Sequence, residues 1–196
     1  MVKAKTGRPR SEKSREAIIN ATHDLLAEKG VAGVTIEAIA KRAGVGKPTI
    51  YRWWATSADI VLEAVLSQAE TSIPVPTCDS LGEALRQFLR QSMQSIADGG
   101  GAHLRFLMAQ AQKDEGFRER FRANFVAKRR AALVSIFLEA VEDGQIGSDH
   151  NLEMVVDMIF GAMWYRLLIG HAPMDKSFAD ELTQIILGVV QDKAKF

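Results

Sequence analysis

The sequence predicts an all-α protein of about nine helices, and three observations predict it. Apolar residues recur at three- and four-residue spacing in every periodic stretch, as they do on helices buried along one face. No stretch shows the period-two alternation of a half-buried strand. The periodic stretches are separated by short links rich in Gly, Pro and Asp, which stop helices. At 196 residues the chain is long enough to bury a core without disulfides or metal, as one ordinary domain or two small ones. The single cysteine, Cys78, cannot staple the chain to itself, and four scattered histidines leave no expectation of a metal site. No apolar run reaches the ~18 residues that cross a bilayer, and none follows the N-terminal charges as in a signal peptide, so a reducing cytoplasm is the expected compartment.

Residues 1–10 lack apolar periodicity and read as a basic arm. From Ser11, with Ser11 or Ser14 as cap, Ile18, Thr22, Leu25 and Leu26 define the first helix, which Lys29-Gly30 stops. After a short link, Thr35 is placed to cap a second helix carrying Ile36, Ile39 and Ala40, and Ala43-Gly44 ends it. Pro48 suits the first turn of a third short helix, where its missing N–H costs nothing. Thr56 and Asp59 form a capping box for a fourth helix, which Pro74 and Pro76 end. Leu81 to Ile96 marks the fifth helix and His103 to Gln112 the sixth. The seventh is a long one from Phe117 to Ala140, the eighth runs from Leu152 to Leu167, and the ninth from Phe178 to Val190.

Charge divides the chain in two. Residues 1–55 hold 11 Lys+Arg against 5 Asp+Glu, and the remainder is net acidic. A basic end on an acidic remainder suits a module that meets a polyanion. Within that end, two short helices join through Ala43-Gly44-Val45-Gly46, the layout of a helix-turn-helix whose second helix enters a DNA major groove. Gly44 can take a left-handed backbone angle that lets the third helix leave the second steeply. Residues 34–62, VTIEAIAKRAGVGKPTIYRWWATSADIVL, resemble the DNA-binding signature of tetracycline-repressor-like regulators, and residues 15–30, REAIINATHDLLAEKG, are similar to that family's first helix. The resemblance covers about 50 residues and implies an all-helical chain that dimerises through its last two helices and encloses an effector pocket.

It further implies an arm at 1–10, a DNA-binding domain at 11–55 and an effector-binding and dimerisation domain at 56–196. By motif position Lys47, Pro48, Thr49, Tyr51, Arg52 and Trp53 are expected on the recognition helix. Lys47 can reach a guanine edge or a phosphate, Pro48 a thymine methyl, and the other four are donors suited to phosphates. Thr35 is a further phosphate candidate, while Ile50 and Trp54 read as core. Gly7-Arg8-Pro9-Arg10 resembles a minor-groove hook, with Arg8 and Arg10 as its arginines, set against a plain solvated arm. Two positions depart from the family pattern: Ser57 stands where relatives often carry lysine, and Gly46 where a serine often caps the recognition helix.

For the effector pocket the expected lining is Phe88, Met93, Phe106, Met108, Phe125, Met163, Trp164 and Tyr165, soft and aromatic side chains that would otherwise simply fill a core. The expected ligand is an apolar or amphipathic small molecule, with Arg166 held in an ion pair. Arg118, Arg120, Arg122, Lys128, Arg129 and Arg130 read as a solvated face. Apolar residues lie on more than one face of the last two helices, so Val156, Phe160, Gly161, Ile186 and Val189 are expected at a homodimer interface. No phosphate loop, nucleophile elbow or zinc-protease motif is present, so neither enzyme nor cofactor is expected. A membrane-surface module would want an exposed apolar face at the basic end. A DNA-binding architectural protein without an effector stays open beside the ligand-responsive repressor.

Overall fold

The structure, a computed structural model, describes residues 12–72, 75, 76 and 78–191, the side chains of 68–72 excepted. Arg8, Arg10 and Pro74 lie outside the described residues. Every regular element among those described is helical. The chain forms two compact units that divide between Ala64 and Val65, within the fourth helix and not at its start.

The first unit contains α1 (Glu12–Lys29), a 3-10 turn (Val31–Gly33), α2 (Ile36–Ala43), α3 (Lys47–Tyr51) and the first half of α4 (Ser57–Ser72). Ile18, Leu25, Leu26, Ile39, Ile50, Trp54, Ile60 and Val61 form its core. Thr22 is buried among them without penalty, because its hydroxyl donates to the Ile18 carbonyl at 2.8 Å. The expected box at α4 is formed: the Thr56 N–H donates to Asp59 Oδ2 at 3.0 Å and the Asp59 N–H to Thr56 Oγ1 at 3.3 Å.

The second unit continues from α4 into α5 (Leu81–Ser95), α6 (Gly101–Lys113), α7 (Glu115–Phe121), α8 (Ala127–Glu142), α9 (Leu152–Ile169) and α10 (Lys176–Gln191). Between α5 and α6 the backbone leaves helical geometry at Asp98 and Gly99, the latter at φ +111°, which only glycine adopts freely. α7 and α8 together are the long seventh helix of the sequence, joined through a π-helical turn at Arg122–Val126. The side chains of Ser80, Asp114 and Asn151 accept backbone N–H groups at the starts of α5, α7 and α9. One core unites the unit, with Leu85, Phe88, Leu89 and Met93 of α5 against Leu133, Ile136 and Phe137 of α8, Val156, Ile159 and Met163 of α9, and Leu182 and Ile186 of α10.

Candidate nucleic-acid interface and effector cavity

The turn between α2 and α3 is set by two local devices. Thr35 Oγ1 accepts the Ala38 N–H at 3.1 Å and starts α2. Gly44, at φ +66°, ends it, and the Val45 N–H reaches back to the Ala40 carbonyl at 3.0 Å. Val45 is half-buried, so the turn is pinned to the unit, and Ile50 is fully buried beneath α3. Thr35→Ala is therefore expected to cost about 1 kcal/mol of stability, read as a lowered urea midpoint with unchanged slope.

With Ile50 as its anchor, α3 turns Lys47, Pro48 and Tyr51 to solvent, Tyr51 at 56% exposure, and leaves Thr49 half-buried. The helix is shorter than expected and ends at Tyr51, so Arg52 and Trp53 stand in the turn that follows it. Trp53 is half-buried under the Arg15 guanidinium, 5.6 Å from its ring centroid, and packs beside Trp54. Trp54 in turn donates to Glu63 Oε2 at 2.7 Å, and Glu63 pairs with Arg15. This Arg15–Glu63–Trp54 cluster closes the unit, which makes Trp53 a packing residue first. Gly46 gives α3 no side-chain cap.

Two ion pairs shape the charge of this face. Arg42 is bidentate on Glu28, at 2.8 and 2.5 Å, which ties α2 to α1. Lys47 pairs with Glu37, in the first turn of α2. Their hydrogen bond holds the Glu37 carboxyl below its ordinary range and the Lys47 ammonium above its own.

In the second unit a cleft enclosing about 680 Å³ of empty space, mouth included, opens among α4, α5, α6, α8 and α9. Phe125, Met163 and Trp164 line it as expected. Phe88 and Met93 lie in the packed core instead, Phe106 and Met108 stand off the cleft on α6, and Tyr165 is 61% exposed against His171. Ser92, Ser95, His103, Leu104, Phe160 and Arg129 are lining residues that sequence reasoning assigned elsewhere or passed over. Arg129 does not lie on the solvated face expected of it. Arg166 makes no ion pair with a carboxylate: it donates to the Pro173 carbonyl at 3.0 Å and lies over the Phe178 ring.

The structure places the expected dimerisation residues on different sides of their helices. Val156 and Ile186 are wholly buried in their own subunit and Phe160 nearly so, because all three point into the α5–α8 side of the bundle. The open face of α9 carries Met154, Met158, Gly161, Tyr165 and Leu168, a stripe at helical spacing, and α10 adds Ile185 and Gly188. Val189 is half-buried. A Cβ added at Gly161 or Gly188 would meet nothing within 4 Å. No helix among the described residues is long and apolar enough to cross a membrane.

A helix-turn-helix with an exposed reading face, on one chain with a helical unit that has its own mostly apolar cleft, defines the class of effector-linked DNA-binding regulators. Residues 18–64 match the family described as bacterial regulatory proteins, tetR family, and residues 75–186 match the tetracyclin repressor-like C-terminal domain. The chain belongs to the tetracycline-repressor family of transcriptional regulators. An uncharacterised HTH-type transcriptional regulator of Bacillus subtilis, YdeS, is 32% identical over 181 residues, 92% of this chain and 91% of the relative. The crystal structure of the TetR family regulator SCO0332 aligns at TM-score 0.80 and 30% identity, covering 91% of this chain and 98% of that one. FadR of Bacillus subtilis, solved in complex with stearoyl-CoA, shares the fold at TM-score 0.67 and 18% identity, covering 90% and 99%. The family is one of DNA-binding regulators, typically ligand-responsive repressors that dimerise.

Proposed function

We propose that this chain acts in the cytoplasm as a homodimeric repressor that binds a pseudo-palindromic operator and leaves it when a small molecule fills the α4–α9 cleft. It works by binding alone, with no catalytic step. The observation that carries the DNA-binding half is the joint exposure of Lys47, Pro48 and Tyr51 on a helix whose other side is anchored by buried Ile50. Thr35 and Thr49 join them as phosphate contacts, and Arg52 adds charge at the helix end. The exposed apolar stripe of α9 with Ile185 supplies the dimer face, so that two recognition helices meet successive major grooves. Effector binding favours a conformation of the dimer in which those helices no longer match the groove spacing.

The cleft favours a ligand-responsive regulator over an architectural DNA-binding protein, since it is a mostly apolar concavity with a few polar groups converging on it. The stearoyl-CoA bound by FadR supports an amphipathic effector in this architecture. The test is a gel-shift titration on duplexes selected from a random pool. Wild-type binding should weaken steeply with salt, and Tyr51→Ala should lower affinity tenfold or more with an unchanged circular-dichroism spectrum. No duplex binding at low salt, or wild-type affinity in Tyr51→Ala, would overturn the reading.

A further inference from the structure

One wall of the cleft is charged. Arg129, on α8, directs its guanidinium at α5, where Nη2 donates to Ser92 Oγ at 3.3 Å and the guanidinium carbon lies 4.5 Å from the centroid of the Phe88 ring. Ser92 is itself buried, and its hydroxyl donates to the Phe88 carbonyl at 2.8 Å, so the group that receives Arg129 is fixed. A long cation anchored at two points on a neighbouring helix has lost most of its freedom before any ligand arrives. Withdrawal from water pushes the guanidinium down to about 10, which leaves it cationic at neutral pH. His103 and Ser95 stand in the same lining, whereas Leu104, Phe125, Phe160, Met163 and Trp164 make the rest of it apolar.

We propose that the cleft takes an amphipathic monocarboxylate, its carboxylate received by Arg129 beside Ser92 and Ser95 and its hydrocarbon or aryl body laid against Phe125, Phe160, Met163 and Trp164. The proposal rests on the reading of the cleft as the effector site and names that effector's class. A planar guanidinium fork matches a planar carboxylate. A phosphate dianion would ask for a second cation, and Arg129 is the only lysine or arginine among the described residues of the lining. The aromatic and thioether side chains opposite suit an apolar body of variable shape.

The test is calorimetric titration of the full-length protein with octanoate, decanoate, 4-phenylbutyrate and 3-indolepropionate, each beside its primary amide. The amides keep the shape and lose the charge. At least one acid should bind tenfold or more tightly than its amide, and should weaken duplex binding in the gel shift. Arg129→Met, which keeps apolar bulk, should abolish the preference, and Arg129→Lys should restore part of it with both variants folded by circular dichroism. If Arg129→Met fails to fold, Ser92→Ala provides the second readout, since removal of the hydroxyl that holds the fork should reduce the preference severalfold. Amides that bind as tightly as acids would overturn the carboxylate proposal and leave the effector site standing. If no acid and no amide binds, the proposal and the effector reading of the cleft fall together.

Discussion

A glutamate at Val156 should unfold the second unit, whereas a glutamate at Leu168 should leave each subunit folded and separate the proposed dimer. The two positions lie on the same helix and differ in the side they face. Val156 has no exposure at all and packs in the core that joins α5, α8, α9 and α10. A carboxylate there has no partner and no water, a situation that costs roughly 3–5 kcal/mol when a buried charge goes uncompensated. That is a large part of the ~5–15 kcal/mol that holds an ordinary domain together. Leu168 is 50% exposed on the stripe with Met154, Met158 and Tyr165, so a charge there stays hydrated in the monomer. In a two-fold interface each substitution occurs twice, and like charges then oppose association from both sides. Sedimentation equilibrium with thermal unfolding distinguishes the two outcomes: a folded monomer for Leu168→Glu, a lost cooperative transition for Val156→Glu. A Leu168→Glu protein that stays dimeric at low micromolar concentration would remove α9 as the dimer face.

Lys47→Ala and Glu37→Gln should move operator affinity in opposite directions. If the Lys47 ammonium reads a guanine edge, its loss costs ~1–3 kcal/mol of discrimination and relaxes base preference at one position. A lysine that meets only phosphate would instead be lost uniformly across sequences, with the salt slope falling by about 1. Glu37 now holds that ammonium and keeps a carboxylate on the face that meets the polyanion. Its neutralisation frees the lysine and removes a repulsive charge, so Glu37→Gln should bind severalfold more tightly, most visibly at low salt. Gel shifts at two salt concentrations check both. Weakened binding in Glu37→Gln would mean that the ion pair itself aims Lys47.

Much of the first unit was legible because its signals are local. Thr35, Gly44, and Thr56 with Asp59 act on backbone groups within a few residues of themselves, so residue type and spacing suffice to place them. The packing of Trp53 was not legible for the opposite reason. Its partner, Arg15, comes from α1, and no local pattern announces that contact. Which side of α9 stays open was not legible because the helix is apolar nearly all round, so periodicity cannot say which side belongs to the subunit's own core. Arg129 sat in a run of basic residues that reads as solvent-facing. Its neighbour Arg130 does pair at the surface, with Glu153 at 2.5 Å and with Asp157.

Arg129 lies four and seven residues before Leu133 and Ile136, on the buried face of α8, and the π-helical turn at Arg122–Val126 joins that face to the buried face of α7. Each residue of an α-helix advances about 100° around the axis. Unbroken, the rod would carry Leu133 roughly 120° away from Phe121, and the buried faces of α7 and α8 would look in different directions. The wider turn absorbs one residue and takes back about 100° of that rotation. Phe121 then shares one side with Arg129, Leu133 and Ile136, so the buried face of α7 runs on into the face of α8 that carries Arg129 to the cleft. Spacing along the chain thus decides whether two consecutive helices can bury their apolar faces on the same side. In a relative with the same wide turn but one residue shorter between the positions of Phe121 and Arg129, the faces of α7 and α8 would diverge by about 100°, and Phe121 and Leu133 could not both be buried on the side that they share here.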